Sequence, residues 1–390
     1  MTKKEILELI DSGETSRVQF KKEITHSDSL AAEMIAMANS IGGIIVIGVE
    51  DKSSKIIGIS NEKIHEYNEK VSNIATNNVI PLIYVYTEVE GVEDKKLLLI
   101  HVNEGVNKPY KDRNSTIWLK QGADKRKVTD NAEILRLFQK SGTLYIDEME
   151  VYDTGIDDVS KMRFSEFYKK EFYEDLEDSG TSYEQLLKNL NILKNDRLTL
   201  GGLMFFGKNP QKQKPNFCVK AVSFVGNEIE GVEYRDSRDL TGTMPELFDK
   251  SIAFLKNNLK HIQKGQNFNS VGILEISPIA LEELVQNALI HRDYSKNSPI
   301  RLFIFDNRVE IISPGVLPNS LTIENIKAGN AVVRNNLMSS FCSKTMKYRG
   351  LGSGVKRAIR EESQIDLIND IEGEQFIVKI RRKNLLNNKG

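Results

Sequence analysis

Cysteine is scarce in this sequence of 390 residues, which has only two, Cys218 and Cys342. They lie far apart and each falls in an apolar segment, so a disulfide framework is excluded and buried thiols are expected. The five histidines are scattered without the Cys/His spacing of a zinc site, which argues against a zinc module. These absences are typical of a reducing compartment and predict a cytoplasmic protein.

Long hydrophobic runs and an excess of charge are also missing. No apolar stretch approaches the roughly 18 residues that cross a bilayer, and the N-terminus has no apolar signal core. The sequence therefore predicts no membrane partner. The formal net charge is −1, from 54 basic and 55 acidic side chains, so contact with nucleic acid would have to come from a local patch.

The remaining composition is that of a globular protein. A chain of 44.2 kDa with 39% hydrophobic residues is long enough for two or three domains, each with its own core. Short apolar runs mixed with amphipathic helical segments predict the α+β fold class. We expect an N-terminal mixed α/β domain over residues 1–145, a connecting region of helices and strands over 146–265, and a C-terminal domain over 266–390.

One segment, residues 281–294, has apolar side chains at helical spacing and predicts an amphipathic helix. Glu283 and Asn287 lie four residues apart in it, so both face the same side. The amide oxygen of Asn287 suits Mg²⁺, which takes the rest of its shell from water and substrate phosphates. The carboxylate of Glu283 could orient or deprotonate a water molecule. An isolated pair of this kind is also common on solvated helices, so the interpretation needs a second motif.

The second motif is a group of alternating glycines, Gly350, Gly352 and Gly354, followed at once by a helical run over residues 356–362. Glycine lets backbone amides approach a polyphosphate, and the N-terminal end of a helix attracts it. The two motifs in this order, with strands between them, are much more specific than either alone. Together they predict a nucleotide site.

With residues 313–318, these motifs resemble the N, G1 and G2 boxes of GHKL-type ATPase domains, the superfamily of histidine kinases, gyrase B and Hsp90. The closer likeness, over roughly residues 270–385, is to the divergent ATPase domain of bacterial RecG-like proteins and transcriptional regulators. Their wording N-A-x-x-H-R-D-Y and P-G-x-L-P occurs here at 287–294 and 314–318. The resemblance implies a two-layer α/β sandwich that binds ATP and Mg²⁺.

The same resemblance implies roles for single residues. Glu283 would position water and Asn287 would hold Mg²⁺. Ser313 stands where many members carry an aspartate that reads the adenine amine. The residues implied in nucleotide binding are Asn287, Ser313, Gly315, Gly350, Gly352 and Gly354.

A second resemblance lies near the N-terminus, where residues 14–21 read E-T-S-R-V-Q-F-K and residues 36–51 read A-M-A-N-S-I-G-G-I-I-V-I-G-V-E-D. These segments are similar to the Schlafen AlbA-type domain. In Schlafen proteins three acidic residues of these motifs form a metal-dependent RNA endonuclease site, and bacterial relatives are described as DNA-binding modules. Glu14 and Asp51 match two of the three carboxylates, whereas Gln19 takes the third position and weakens the site for Mg²⁺ or Mn²⁺. Alternatively, Glu14 caps or pairs and Asp51 opens a turn.

Basic side chains concentrate between residues 108 and 127, with Tyr110 and Trp118 among them. Such a patch can neutralise phosphates while its aromatic rings stack on bases. The alternative is a solvated hairpin with Trp118 in the core. With two further lysines before residue 23, the predicted nucleic-acid contacts are Lys21, Lys22, Lys108, Lys111, Arg113, Trp118, Lys120, Lys125, Arg126 and Lys127.

The two resemblances together imply a homo-oligomeric regulatory protein of transcription or of a response to foreign nucleic acid. ATP·Mg²⁺ at the C-terminal domain would modulate the N-terminal nucleic-acid face by shifting populations. The alternative is a metal-dependent endonuclease using Glu14 and Asp51. A third interpretation treats both sites as vestigial and the protein as an oligomeric scaffold.

Overall fold

The computed structural model describes residues 3–51, 53–92, 94–142, 144–230, 233–262, 272–318, 321–346 and 352–382. It divides the chain into two compact units, Met1–Leu144 and Tyr145–Gly390. Helices and strands occur in both units, which confirms the predicted α+β class. None of the helices in the described residues is long and apolar enough to cross a membrane.

The described strands of the N-terminal unit are β1 (Val18–Lys21), β2 (Gly43–Ile47), β3 (Val79–Ile80), β4 (Val85–Val92), β5 (Lys95–Val102), β6 (Lys111–Asp112), β7 (Trp118–Gln121) and β8 (Asp124–Lys127). The described helices are α1 (Lys3–Asp11), α2 (Ser27–Asn39), α3 (Asn61–Asn77) and α4 (Asn131–Lys140). Four of the strands form a sheet of order β1-β2-β5-β4, in which β1 runs parallel to β2 and the other neighbours are antiparallel.

The apolar run of β5 is explained by burial on both faces of this sheet. Leu97 and Leu99 pack in the cluster that contains Ile6 and Ile10 of α1. Their neighbours in sequence point the other way, into the cluster formed with α2 and α3. Each fully buried aliphatic side chain of this kind contributes about 1.5–3 kcal/mol, so the two-sided core fixes the register of the sheet.

Asn39, at the end of α2, attaches the segment that follows the sheet. Its amide nitrogen donates to the carbonyl oxygens of Tyr110 (2.8 Å) and Trp118 (3.0 Å), and its oxygen accepts from the Tyr110 amide (2.7 Å). A buried asparagine with these partners is satisfied by backbone alone. It therefore holds the β7–β8 hairpin against α2.

The described strands of the C-terminal unit are β9 (Leu193–Lys194), β10 (Arg197–Leu198), β11 (Val219–Phe224), β12 (Tyr234–Leu240), β13 (His261–Ile262), β14 (Ile273–Leu274), β15 (Ile300–Ile304), β16 (Arg308–Pro314), β17 (Ile365–Asp370) and β18 (Gln375–Arg381). Six of them form a mixed sheet of order β12-β11-β15-β16-β18-β17. The helices are α5 (Lys161–Phe172), α6 (Tyr183–Asn189), α7 (Leu200–Phe206), α8 (Pro210–Gln213), α9 (Met244–Asn258), α10 (Pro278–His291), α11 (Ile323–Ala328), α12 (Asn336–Thr345) and α13 (Ser353–Glu361).

The expected connecting region does not end where the sequence analysis placed its boundary. Strand β11, at residues 219–224, pairs in parallel with β15, at residues 300–304, so both belong to one sheet. A single hydrophobic cluster runs from Val151 to Ile380. Residues 146–265 are therefore not a separate module from 266–390, because strand pairing and a shared core join them. The described units part between Leu144 and Tyr145.

Two helices of this unit, α10 and α13, pack against each other and bring distant parts of the sequence together. Helix α10 begins with Pro278, whose fixed φ suits the first helical position. Helix α13 begins after Gly352, which has a left-handed backbone with φ of 69°. A residue with a side chain is strained in that conformation, so glycine allows the chain to turn sharply into α13.

Candidate functional site

Helix α10 presents Glu283 and Asn287 to a cavity in the C-terminal unit. The Asn287 side-chain nitrogen donates to the backbone oxygen of Glu283 at 2.6 Å. That bond orients the carboxamide and leaves its oxygen as the atom that can bind a cation. The predicted pair thus faces a cavity and not solvent.

The glycine motif meets this pair in space. A Cβ atom added at Gly354 would collide with Glu283 Oε2 and would lie 3.1 Å from Asn287 Nδ2, so the N-terminal end of α13 lies directly on the pair. Gly352 also lines the cavity. Gly350, the first glycine of the predicted motif, lies outside the described residues.

The cavity has a volume of about 1050 Å³, including the part that opens to solvent. Polar groups on its wall include Glu283, Asn287, Ser353 and Arg357. Apolar side chains from the sheet and α11 complete the wall, among them Ile311, Ile326, Leu367, Phe376 and Val378. Such a combination of an apolar wall with a few directed polar groups is typical of small-molecule sites.

The G1-like segment contributes Ser313 and Gly315 to the same wall. The Ser313 hydroxyl donates to the backbone oxygen of Ala288 at 3.1 Å, so its proton is used within the protein. The Gly315 amide donates to the oxygen of Glu374 at 2.8 Å. Ser313 can therefore offer a ligand only the lone pairs of its oxygen.

Two further side chains affect this site: His291, which belongs to the N-A-x-x-H-R-D-Y wording, and Arg334, which lies outside the motifs. Burial and the nearby Arg334 guanidinium lower the pKa of His291 to about 4, so this ring is neutral at pH 7. Arg334 itself donates to the oxygens of Val316 (2.6 Å) and His291 (3.4 Å). It fastens the segment after β16 to the end of α10. Its position in an irregular stretch, residues 329–335, gave no sequence signal.

The donor set suits Mg²⁺ only with help from a ligand. The described residues contain no group of three His, Cys, Asp or Glu side chains that could hold a metal ion. Mg²⁺ commonly takes one or two protein oxygens and completes its shell with water and phosphates. Asn287, beside Glu283, fits that pattern and would hold a magnesium ion that arrives with a polyphosphate.

In the N-terminal unit, Glu14 and Gln19 are hydrogen-bonded to each other, with the Gln19 amide donating to Glu14 Oε1. The backbone amide of Phe20 donates to the same oxygen at 2.8 Å. Burial raises the pKa of Glu14, the Phe20 amide opposes this, and the negative charge of Asp51 raises it further. The third position of the nuclease pattern thus carries an amide that is already hydrogen-bonded to Glu14.

Lys120 connects Gln19 to a further carboxylate, that of Glu33, and these residues with Glu14 form one cluster. Lys120 Nζ donates to Gln19 Oε1 at 2.8 Å and lies 3.5 Å from Glu33 Oε2, with its side chain only 1% exposed. Lys125 Nζ donates to the other Glu33 oxygen at 2.6 Å. Two ammonium groups of the protein therefore neutralise Glu33, and one of them also occupies the amide oxygen of Gln19.

A segment of each unit matches a known family model. Residues 14–129 match the model "Schlafen, AlbA_2", and residues 297–376 match the model "Putative ATP-dependent DNA helicase recG C-terminal". The N-terminal unit is thus similar to a Schlafen AlbA_2 domain, and part of the C-terminal unit is similar to a recG C-terminal domain. The second match includes Ser313, Gly315, Gly352 and Gly354, and it begins after Glu283 and Asn287.

No curated protein matches the chain significantly. Among solved structures, the DIP2311 protein from Corynebacterium diphtheriae is 20% identical over 98% of this chain and 80% of its own, with a TM-score of 0.48. The N-terminal domain of a "Putative ATP-dependent DNA Helicase RecG-related Protein" from Nitrosomonas europaea is 19% identical over 32% of this chain and 94% of its own, with a TM-score of 0.25.

The predicted basic face of the N-terminal unit is smaller than the sequence suggested. Lys108 is buried, donates to the Ser40 oxygen at 2.9 Å and pairs with Glu104 at 2.5 Å. Lys120 is buried in the cluster described above. Predicting these two as phosphate contacts was wrong, because internal carbonyl and carboxylate oxygens hold their ammonium groups away from solvent.

The other predicted contacts divide into paired and exposed residues. Arg126 donates two hydrogen bonds to the carboxylate of Glu133, and the Trp118 ring nitrogen donates to Asp112 at 2.9 Å. Lys127 lies over the Trp118 ring, 5.5 Å from its centre. The basic residues that stay at least partly exposed are Lys21, Lys22, Lys111, Arg113, Lys125, Arg126 and Lys127.

Proposed function

We propose that this is a cytoplasmic nucleic-acid-binding protein whose C-terminal cavity binds ATP with Mg²⁺. The observation that carries the proposal is the meeting of Glu283, Asn287 and Gly354 on one cavity wall, although Gly354 is 67 residues beyond Asn287 in the sequence. A carboxylate, a carboxamide and a helix N-terminus at one place form a suitable receptor for a metal-bound polyphosphate. The matched family, whose name refers to ATP-dependent helicases, supports this assignment.

In this proposal each part of the site has a task. The N-terminal amides of α13 and the adjacent glycine backbone bind phosphate oxygens, Asn287 supplies an oxygen to the cation, and Glu283 orients water. The apolar wall with Ile326, Leu367 and Phe376 encloses the base and excludes water. The neutral His291 ring adds no charge to the cavity.

The N-terminal unit supplies the nucleic-acid face. Its family match supports nucleic acid as the ligand, and the exposed cations and the Lys127–Trp118 pair suit phosphates and bases. ATP binding would alter nucleic-acid affinity by favouring one conformation of the protein. The family resemblances further imply regulation of transcription or of a defence response, and assembly into a homo-oligomer.

The test combines a binding and a cleavage assay. The wild type and Asn287→Ala are melted with and without ATP·Mg²⁺, and each is mixed with labelled tRNA, single-stranded RNA and duplex DNA. We expect ATP to raise the melting temperature of the wild type but not of Asn287→Ala, and to change the amount of bound nucleic acid. Absence of any ATP effect on the wild type would contradict the proposal.

A parallel arm with Mn²⁺ and the variant Asp51→Ala addresses the nuclease alternative. Gln19 and Lys120 occupy the cluster where a third carboxylate and a metal would be needed, so we expect uncut nucleic acid. Cleavage by the wild type that disappears in Asp51→Ala would instead establish an endonuclease.

A further inference from the structure

Arg357 belongs to none of the predicted motifs, yet it lines the same cavity as Glu283 and Asn287. It lies in the second turn of α13, three residues after Gly354. Its Nη2 atom is ion-paired with Glu283 Oε1. The side chain of Glu283 is 11% exposed and that of Arg357 is 33% exposed, so the pair lies at the boundary between the core and the open cavity.

The Arg357 guanidinium has an N–H donor that the ion pair with Glu283 does not use. Its Nε atom is buried and has no hydrogen-bond partner among the described residues. A guanidinium carries five N–H donors in a fixed plane that matches the oxygens of a phosphate. A buried N–H group without a partner costs about 1–3 kcal/mol, which a ligand oxygen at this position would recover.

We propose that Arg357 is the residue that binds the polyphosphate of the nucleotide, and that it exchanges Glu283 for a phosphate oxygen when the nucleotide enters. This proposal rests on the proposed function and adds a residue to it. The N-terminal amides of α13 lie one turn before Arg357, so one phosphate chain can contact both. The described α13 has no side-chain cap at its N-terminus, which leaves those amides to a ligand.

The exchange also regulates Glu283. While Arg357 holds this carboxylate, Glu283 Oε1 is engaged by the guanidinium. A phosphate that takes Arg357 releases this oxygen to accept a hydrogen bond from water. The ion pair therefore keeps the site inactive until a polyphosphate is present, and AMP, with a single phosphate, should engage it least.

The proposal is tested by calorimetric titration of the full chain with ATP, ADP and AMP in Mg²⁺. The variants are Arg357→Gln, Arg357→Lys, Glu283→Gln and the control Arg360→Gln, whose side chain is on the same helix and 76% exposed. We expect Arg357→Gln to weaken ATP binding by about 10- to 100-fold, the range for charge-assisted hydrogen bonds. Binding of AMP should change little, Arg357→Lys should recover part of the ATP affinity, and Arg360→Gln should match the wild type.

Glu283→Gln is the more decisive variant, because it removes the carboxylate that competes with a phosphate for Arg357. We expect this variant to bind ATP several-fold more tightly than the wild type, whereas a role for Glu283 in holding the cation would weaken binding. Arg357→Gln leaves a mostly buried carboxylate without its arginine and could unfold. The double variant Arg357→Gln/Glu283→Gln removes both charges and should fold while still binding ATP weakly.

The outcomes separate this inference from the function on which it rests. If the wild type binds ATP and either folded variant without Arg357 binds it equally well, the inference is wrong and the nucleotide site stands. If the wild type binds none of the three nucleotides, both fail.

Discussion

Both units place carboxylates against cations, but the Lys120–Glu33 pair of the N-terminal unit is buried, whereas the Glu283–Arg357 pair of the C-terminal unit lines a cavity. In the N-terminal unit Lys120 and Lys125 neutralise Glu33, and the Lys120 side chain is 1% exposed. In the C-terminal unit the pair of Glu283 and Arg357 lines a cavity of about 1050 Å³. The ion pairs of Glu33 are therefore closed to ligands. A ligand that enters the cavity can reach the pair of Glu283 and Arg357, and we propose that it replaces Glu283 there.

The comparison teaches that motif residues alone do not separate an active site from a structural cluster. Glu14 and Asp51 match a nuclease pattern, yet the side-chain amide of Gln19 donates to Glu14, and the ammonium of Lys120 donates to Gln19. Buried ions whose charges are already satisfied are costly to separate. We therefore assign ligand exchange to the C-terminal unit and structural support to the N-terminal cluster.

Filling the cavity at Gly354 should have the largest effect. In Gly354→Val the new side chain would occupy the space beside Glu283 and Asn287, where even a Cβ atom collides. We expect ATP affinity, measured by calorimetry, to fall on the order of 100-fold, about 3 kcal/mol. The control is Gly155→Val, since a Cβ there would have its nearest contact at 3.9 Å. Unchanged affinity in Gly354→Val would mean that ATP does not bind beside Glu283 and Asn287. The C-terminal ion pair would then differ from the N-terminal cluster only in its exposure.

Removing the buried ammonium of the N-terminal cluster should mainly affect stability. Lys120→Met leaves Glu33 with Lys125 alone and takes a donor from Gln19. We expect the free energy of unfolding of this unit to fall by about 3 kcal/mol, the cost of breaking a buried ion pair. Fluorescence of Trp118, the only tryptophan, follows this unit during denaturation.

The matched control for that experiment is Lys127→Met, because Lys127 is exposed on the same hairpin. Its free energy of unfolding should stay within about 0.5 kcal/mol of the wild type. A loss below about 1 kcal/mol in Lys120→Met would mean that the cluster is solvated and open to ligands, contrary to our comparison.

The sequence was sufficient to predict the fold class and the meeting of two distant motifs. Helical spacing placed Glu283 and Asn287 on one face, and the glycine pattern indicated a close backbone approach, both of which are local properties. The shared sheet of residues 219–224 and 300–304 could not be predicted, because pairing between strands some 80 residues apart depends on the assembled core.

The difference between local sequence properties and tertiary contacts also explains which charged residues were misjudged. A run of lysines predicts an exposed patch only if no buried acid lies nearby, and Glu33 and Glu104 reach Lys120 and Lys108 through the tertiary fold. Arg357 was missed for the converse reason. Its importance comes from a partner, Glu283, that is 74 residues away in the sequence.

The smallest effect is expected at the exposed edge of the N-terminal unit. Lys127→Ala removes one cation beside Trp118 without touching the buried cluster. Because one phosphate contact is lost, nucleic-acid affinity should fall only a few-fold, and the slope of log K against log salt should decrease by about 0.7–0.9. Lys4→Ala, at an 86% exposed lysine outside the patch, is the control. If Lys127→Ala behaves like Lys4→Ala, nucleic acid does not contact this hairpin. The exposed cations of the N-terminal unit would then be as structural as Lys120.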